Sequence, residues 1–260
     1  MLDPSIFQDL EKGLNETTDT IHRLVERQGA IFKEGKKDKK RKVWYQDTTT
    51  HDLRNGSFLL RIREEKKEEF NITIKNRHSD RYIAALYDLS KPLSKADMIF
   101  DRFKFEEDII PKFTSKYSAS VDFKTSQMPK FETFHDVLQL TPTLSKLGIS
   151  TTETLSKVNN FEANEISYDL GDIKFDDEKD KAKVQLSLWH LSDRSPVIVE
   201  FDIDVELRDS PKKGSKELEE YPTALTVGVY KLYMALQGKD IVDNTSPKTK
   251  TDFAYEYRKT

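Results

Sequence analysis

Apolar and polar residues alternate one for one along five stretches of this chain, the two-residue period of a β-strand. In residues 58–63, Phe58, Leu60 and Ile62 share one face and Arg61 and Arg63 the other. In residues 70–75, Phe70, Ile72 and Ile74 oppose Asn71, Thr73 and Lys75. The Glu/Lys-rich residues 64–69 between them read as a short hairpin connection. Further on, Phe103, Phe105 and Ile109 oppose Arg102, Lys104, Glu106 and Asp108. Glu165 and Asp169 oppose Ile166, Tyr168 and Leu170. Alternation is complete in residues 199–206, where Glu200, Asp202, Asp204 and Glu206 oppose Val199, Phe201, Ile203 and Val205.

Strands are predicted over 43–45, 58–63, 70–75, 100–109, 117–124, 165–173, 183–191 and 197–207. A three- and four-residue period takes over elsewhere. Leu10, Leu14, Ile21, Leu24 and Val25 predict a helix over 6–28, stopped at Gly29. Shorter helices are predicted over 81–89 and 131–147. A longer one over 215–237 follows Pro211 and Gly214, starts with a capping-box-like Ser215 and Glu219, and carries the stripe Leu218, Leu225, Val229, Leu232 and Leu236. The basic run 33–42 reads as a solvated loop tip, or as a rim that attracts an anion. The polar residues after Gly238 read as a partly loose tail.

Composition narrows the classes. The chain has 260 residues, and no Pro/Gly/Ser-rich linker divides it, so one domain over 1–260 is predicted: a helix and basic loop to 42, strands and a C-terminal helix to 237, then the tail. Basic and acidic residues nearly balance, 43 against 46, so phosphate binding must come from local clustering and not from overall charge. Cysteine is absent, which excludes disulfides, thiolate metal sites and a cysteine nucleophile. No secretory leader pattern opens the chain and no apolar run approaches ~20 residues, so no membrane span is expected and a cytoplasmic location follows. The P-loop, dinucleotide fingerprint and serine-elbow motifs are absent, and His22, His51, His78, His135 and His190 lack metal-ligand spacing. Trp44 and Trp189 read as packing residues, with base stacking as the alternative.

The charged faces admit two readings. Each strand belongs to a one-sided antiparallel sheet with its polar face in solvent, or the strands form a closed or nearly closed barrel with a polar interior. Four acids in a row repel each other unless cations or a metal neutralise them. In the barrel, Arg61, Arg63, Lys75, Arg102 and Lys104 would grip phosphate oxygens. Carboxylates would hold Mg²⁺ or Mn²⁺, hard ions that prefer oxygen ligands. Glu200, Asp202, Asp204, Asp108 and Asp169 are the candidate metal ligands, with Glu200, Asp202 and Glu106 the candidate catalytic carboxylates.

The order of these motifs resembles the CYTH, or triphosphate tunnel metalloenzyme, superfamily. Val43-Trp44-Tyr45-Gln46-Asp47-Thr48 is similar to its YxDT stretch, and Gly56, Leu60-Arg61-Ile62-Arg63 and Thr73-Ile74-Lys75 follow as its Gly, LRxR and TxK elements do. Residues 104–108 are similar to its next basic-acidic strand, and Asp169 and Glu200-Phe201-Asp202 to its late Asp and ExE strand. Lys157 stands where the family often carries a phosphate-binding basic residue, and residues 248–255 resemble its closing region. The resemblance spans residues 43–255. The family's N-terminal ExExK strand has no counterpart, and Asn159 and Asn160 stand where a second basic residue is common.

The resemblance implies an α+β fold, an antiparallel eight-stranded β-barrel or tunnel with helices packed outside. It implies divalent-metal-dependent hydrolysis of a triphosphate compound: inorganic triphosphate, or a nucleoside or thiamine triphosphate. The alternative is a catalytically degenerate module that binds a polyphosphate or nucleotide, which the missing ExExK favours. The expected partner is a small molecule, with nucleic acid not expected beyond an RNA 5′-triphosphate end.

Overall fold

The computed structural model describes residues 1–95, 97–110, 114–175, 181–191, 195–205, 223–243 and 249–258. Among the described residues nine strands form one sheet: β1 (Ile31–Asp47), β2 (Phe58–Lys66), β3 (Glu69–His78), β4 (Ile99–Ile110), β5 (Thr114–Thr125), β6 (Ser156–Lys157), β7 (Ala163–Lys174), β8 (Ala182–His190) and β9 (Ile198–Val205). Their hydrogen-bonded order is β4-β5-β3-β2-β1-β7-β8-β9, with β6 also on β1. The registers of β1 with β2 and β6, β2 with β3, β3 and β4 with β5, and β8 with β9 are antiparallel. This order is an open path, and no pairing that would close it into a barrel occurs among the described residues. The α-helices among the described residues are few: α1 (Leu10–Glu26), α2 (Asp52–Asn55), α3 (Arg81–Ala84), α4 (Phe134–Leu138), α5 (Thr223–Gln237) and α6 (Lys250–Glu256). None of the described ones is long and apolar enough to cross a membrane.

The chain divides into two compact units. The first comprises Met1–Lys39 and Glu165–Thr249. Its helix α1 starts where Asp9 accepts a bond from the Lys12 N–H, and it buries Ile21, Leu24 and Val25. These join Val184, Leu186 and Leu188 of β8, Val199 of β9 and Leu225, Leu232 and Leu236 of α5 in one core. Leu218, Ser215 and the rest of the start predicted for that last helix, like Glu206 and residue 207 after β9, lie outside the described residues.

The basic run 33–42 is a correction. It forms the middle of β1 and no loop tip. Lysine, glycine and aspartate are poor strand formers, but a neighbouring strand overrides local preference. Gly35 and Gly171 bring β1 and β7 unusually close: a Cβ on Gly35 would sit 2.4 Å from the Asp169 carbonyl oxygen, and one on Gly171 2.3 Å from that of Lys33. Gly171 also has φ +143°, which other residues rarely adopt.

The second unit comprises Lys40–Asn164 and Lys250–Thr260. Here the predicted alternation is realised. Phe58, Leu60 and Ile62 of β2, Phe70, Ile72 and Ile74 of β3, and Ala119, Val121 and Phe123 of β5 are buried in one core. Phe134 and Val137 of α4, Leu144 of the short 3-10 segment Pro142–Leu147 and Leu140 between them join it, so the helix predicted over 131–147 exists only as two short pieces. The helix predicted over 81–89 likewise covers only Arg81–Ala84. A second correction concerns the tail, where α6 is packed and Ala254 and Tyr255 are buried.

Candidate functional site

The polar face of β2–β5 in the second unit carries a continuous belt of charge. Cross-strand register sets Tyr45, Arg61, Thr73, Asp122 and Arg102 side by side on five successive strands. Arg61 Nη2 donates to Thr73 Oγ1 at 3.2 Å, and Thr73 Oγ1 donates to Asp122 Oδ1 at 2.6 Å. The other Asp122 oxygen accepts from Arg102 Nε at 2.9 Å. Burial alone would push the Asp122 carboxyl up, but the Thr73 bond, the Arg102 bond and the nearby Arg61 charge outweigh it and hold it below the usual range. Asp122 also raises the Arg102 pKa against the opposing effect of burial.

One register step along, Lys75 and Lys104 converge on one carboxylate. Lys75 Nζ lies 3.1 Å from Glu106 Oε2 and Lys104 Nζ 3.2 Å from Oε1. Burial would raise the Glu106 pKa, and the two ammonium groups override it and lower it. Arg77 follows on the same face and holds Asp108 at 2.8 Å. Arg63 lies opposite Asn71 on β3 and is half-buried. Among the residues held in register on this face, the cations Arg61, Arg63, Lys75, Arg77, Arg102, Lys104, Lys116 and Lys124 outnumber the carboxylates Asp122, Glu106 and Asp108, so the local balance is positive. The Nε groups of Arg61 and Arg77 are buried and lack a hydrogen-bond partner among the described residues.

Lys157, on β6 opposite Gln46 of β1, stacks 5.1 Å above the Trp44 ring and pairs with Glu162 at 2.7 Å. Asn159, where a second basic residue is common in the resembled family, does structural work. At φ +50°, it donates to the carbonyls of Ala254 and Tyr255 and so ties down α6.

Four of the candidate metal ligands belong to the first unit. Across β8 and β9, Glu200 stands opposite Ser187, Asp202 opposite Gln185 and Asp204 opposite Lys183. Asp202 and Asp204 are exposed and Glu200 half-buried. Lys183 reaches Asp169 of β7 at 3.5 Å. Glu165, placed by alternation on the face of Asp169, is fully buried and accepts the Trp189 indole N–H at 2.6 Å. Among the described residues no group of three His, Asp or Glu side chains could hold a metal ion. In the second unit the physical reason is visible: Glu106, Asp108 and Asp122 already accept from Lys75, Lys104, Arg77, Thr73 and Arg102.

Sequence reasoning passed over Asp122 and Arg77, and named Asp47 only within the YxDT-like stretch, with no role. Alternation in the 117–124 strand puts Asp122 on the polar face, and continuing the 70–75 pattern reaches Arg77, so both were within its reach. Asp47 is different. It is buried, and its Oδ1 accepts from the N–H groups of Thr48 (2.8 Å) and Leu53 (2.9 Å). Its Oδ2 accepts from the Arg54 N–H (3.1 Å) and the Tyr255 hydroxyl (2.8 Å). That hydroxyl comes from 208 residues away in sequence, a partnership no local pattern announces.

No protein-family model matches the chain and no curated protein matches it. Among solved structures it is similar to a proposed adenylyl cyclase of Hippeastrum with a dominant triphosphatase activity, at 9% identity and a TM-score of 0.49, covering 94% of this chain and 92% of that one. It is also similar to a proposed adenylate cyclase of Bacillus halodurans, at 14% identity and a TM-score of 0.36, covering 87% and 89%. At these values the likeness assigns no family.

Proposed function

We propose that the charged face of β2–β5 binds the phosphates of a small polyphosphate-bearing molecule, a triphosphate compound or a nucleotide. The observation that supports this reading is the positive belt itself. Arg61, Arg63 and Lys75 stand half-buried on one face, cations outnumber carboxylates around them, and Arg61 keeps a buried Nε–H without a partner. A phosphate oxygen would satisfy that donor, and guanidinium groups suit phosphate geometry.

Hydrolysis assisted by Mg²⁺ or Mn²⁺ is the further step of the same reading, with Glu200 and Asp202 of the first unit and Glu106 of the second each a candidate reacting carboxylate. One observation favours binding without turnover: Glu106 and Asp108 are each held by cations of their own unit, and the described acids form no three-ligand cluster. The described carboxylates form no three-ligand set, so no step is derived through a metal.

Calorimetric titration with inorganic triphosphate, ATP and thiamine triphosphate, alongside a phosphate-release assay with Mg²⁺ or Mn²⁺, tests both levels. Binding with background phosphate release is the expected result. Release above background that Glu200→Gln abolishes would restore the hydrolytic reading. Absence of binding by every compound would sink both.

A further inference from the structure

We propose that β4 is the contact edge of a two-fold symmetric dimer, pairing antiparallel with β4 of a second copy about Phe105. β4 ends the strand order and pairs with β5 on one side, and its other edge has no partner among the described pairings. An edge this long normally invites another strand unless its charges repel one. Its face away from the charged belt is open and mostly apolar: Phe103 is 38% exposed, Phe105 43% and Ile109 52%, with exposed Glu107 between them, which this register sets opposite Phe103 of the second copy.

The order of charges along β4 selects the occupant and the register. In an antiparallel pair, residues directly opposite point to the same face. With Phe105 opposite its own copy, Arg102 meets Asp108 of the second chain and Lys104 meets Glu106, and the symmetry repeats both pairs. Every charged residue of that face in the stretch 102–108 then faces its opposite. Moving the register by two residues one way sets Lys104 against Lys104, and the other way Glu106 against Glu106. Odd shifts put the charged face of one copy beside the phenylalanine face of the other. The neighbouring irregularity, between Phe100 and Arg102, falls outside the paired stretch. A strand whose charges merely guarded its edge would not need this order, whereas an isologous contact demands it.

The absence of cysteine makes the register directly testable. Sedimentation velocity over a concentration series should show a reversible dimer. In the full chain, Phe105→Cys places two thiols directly opposite, with Cα atoms about 4.5–5.5 Å apart, within disulfide reach. Phe103→Cys separates them by four residues along the strand, about 13 Å. Mild oxidation should therefore crosslink the first variant and not the second. Lys104→Glu and Glu106→Lys should each weaken the dimer at least about tenfold, and mixing the two variants should restore it, because each supplies the charge the other lost. Circular dichroism confirms that each variant is folded. A monomer at all concentrations, or a dimer in which Phe103→Cys crosslinks as fast as Phe105→Cys, overturns the proposal.

Discussion

Asp122 shows how a single buried carboxylate organises the charged face. It joins β3 to β4 across β5 by accepting from Thr73 and Arg102. Its pKa lies below its unfolded value, so the folded state favours the ionised form. The stabilisation is therefore fully present above the unfolded pKa, ~3.9, and is lost as pH falls through the lower folded value. Glu106 follows the same sign. Asp122→Asn should flatten the acid limb of a stability-versus-pH profile, read by urea melts between neutral and strongly acidic pH. It should cost about 1–3 kcal/mol at neutral pH. Arg61→Ala tests the face as a binding surface: polyphosphate affinity should weaken by about 1.5–3 kcal/mol in calorimetry, and affinity in the parent should fall with added salt. Unchanged affinity in Arg61→Ala, Arg63→Ala and Lys75→Ala alike would contradict the binding reading.

Two elements depend on contacts that a single position can break. In β1, the polar stretch stays extended because Gly171 lets β7 approach it at φ +143°. Gly171→Ala should lower stability by about 1–3 kcal/mol, seen as a lower melting temperature. A variant that melts like the parent would show that the close approach is dispensable. The helix α6 is held by the Tyr255 hydroxyl on Asp47, by Asn159 on two of its carbonyls and by Arg54 on Asp252 at 3.0 Å. Arg54 also stacks on the Tyr255 ring at 4.5 Å. Burial, with the Asp47 charge beside it, pushes the Tyr255 phenol far up, so it remains a donor throughout the neutral range. Tyr255→Phe should cost about 1.5–3 kcal/mol, since it removes one bond to a buried carboxylate. Hydrogen exchange should then show α6 opening first.

For the whole molecule, triphosphate should raise the melting temperature of the parent, as any ligand that prefers the folded state must. Arg61→Ala should lose most of that increment. What the sequence determined by itself was periodic. Alternation placed Arg61, Arg63, Lys75, Arg102, Lys104 and Glu106 on one side of their strands and the phenylalanines and isoleucines on the other, because side-chain direction in a strand follows from backbone geometry alone. The strands of the second unit and the core of α1 were legible for that reason. Tertiary structure decided the rest. It made the basic run 33–42 a strand through its approach to β7, packed residues 250–256 of the tail as a helix through Tyr255 and Asn159, and committed Glu106, Asp108 and Asp122 to cations on neighbouring strands. Among the described residues the sheet is an open path, where a closed or nearly closed barrel was expected. Each of these outcomes depends on partners distant in sequence, and neither propensity nor period carries the identity of a distant partner.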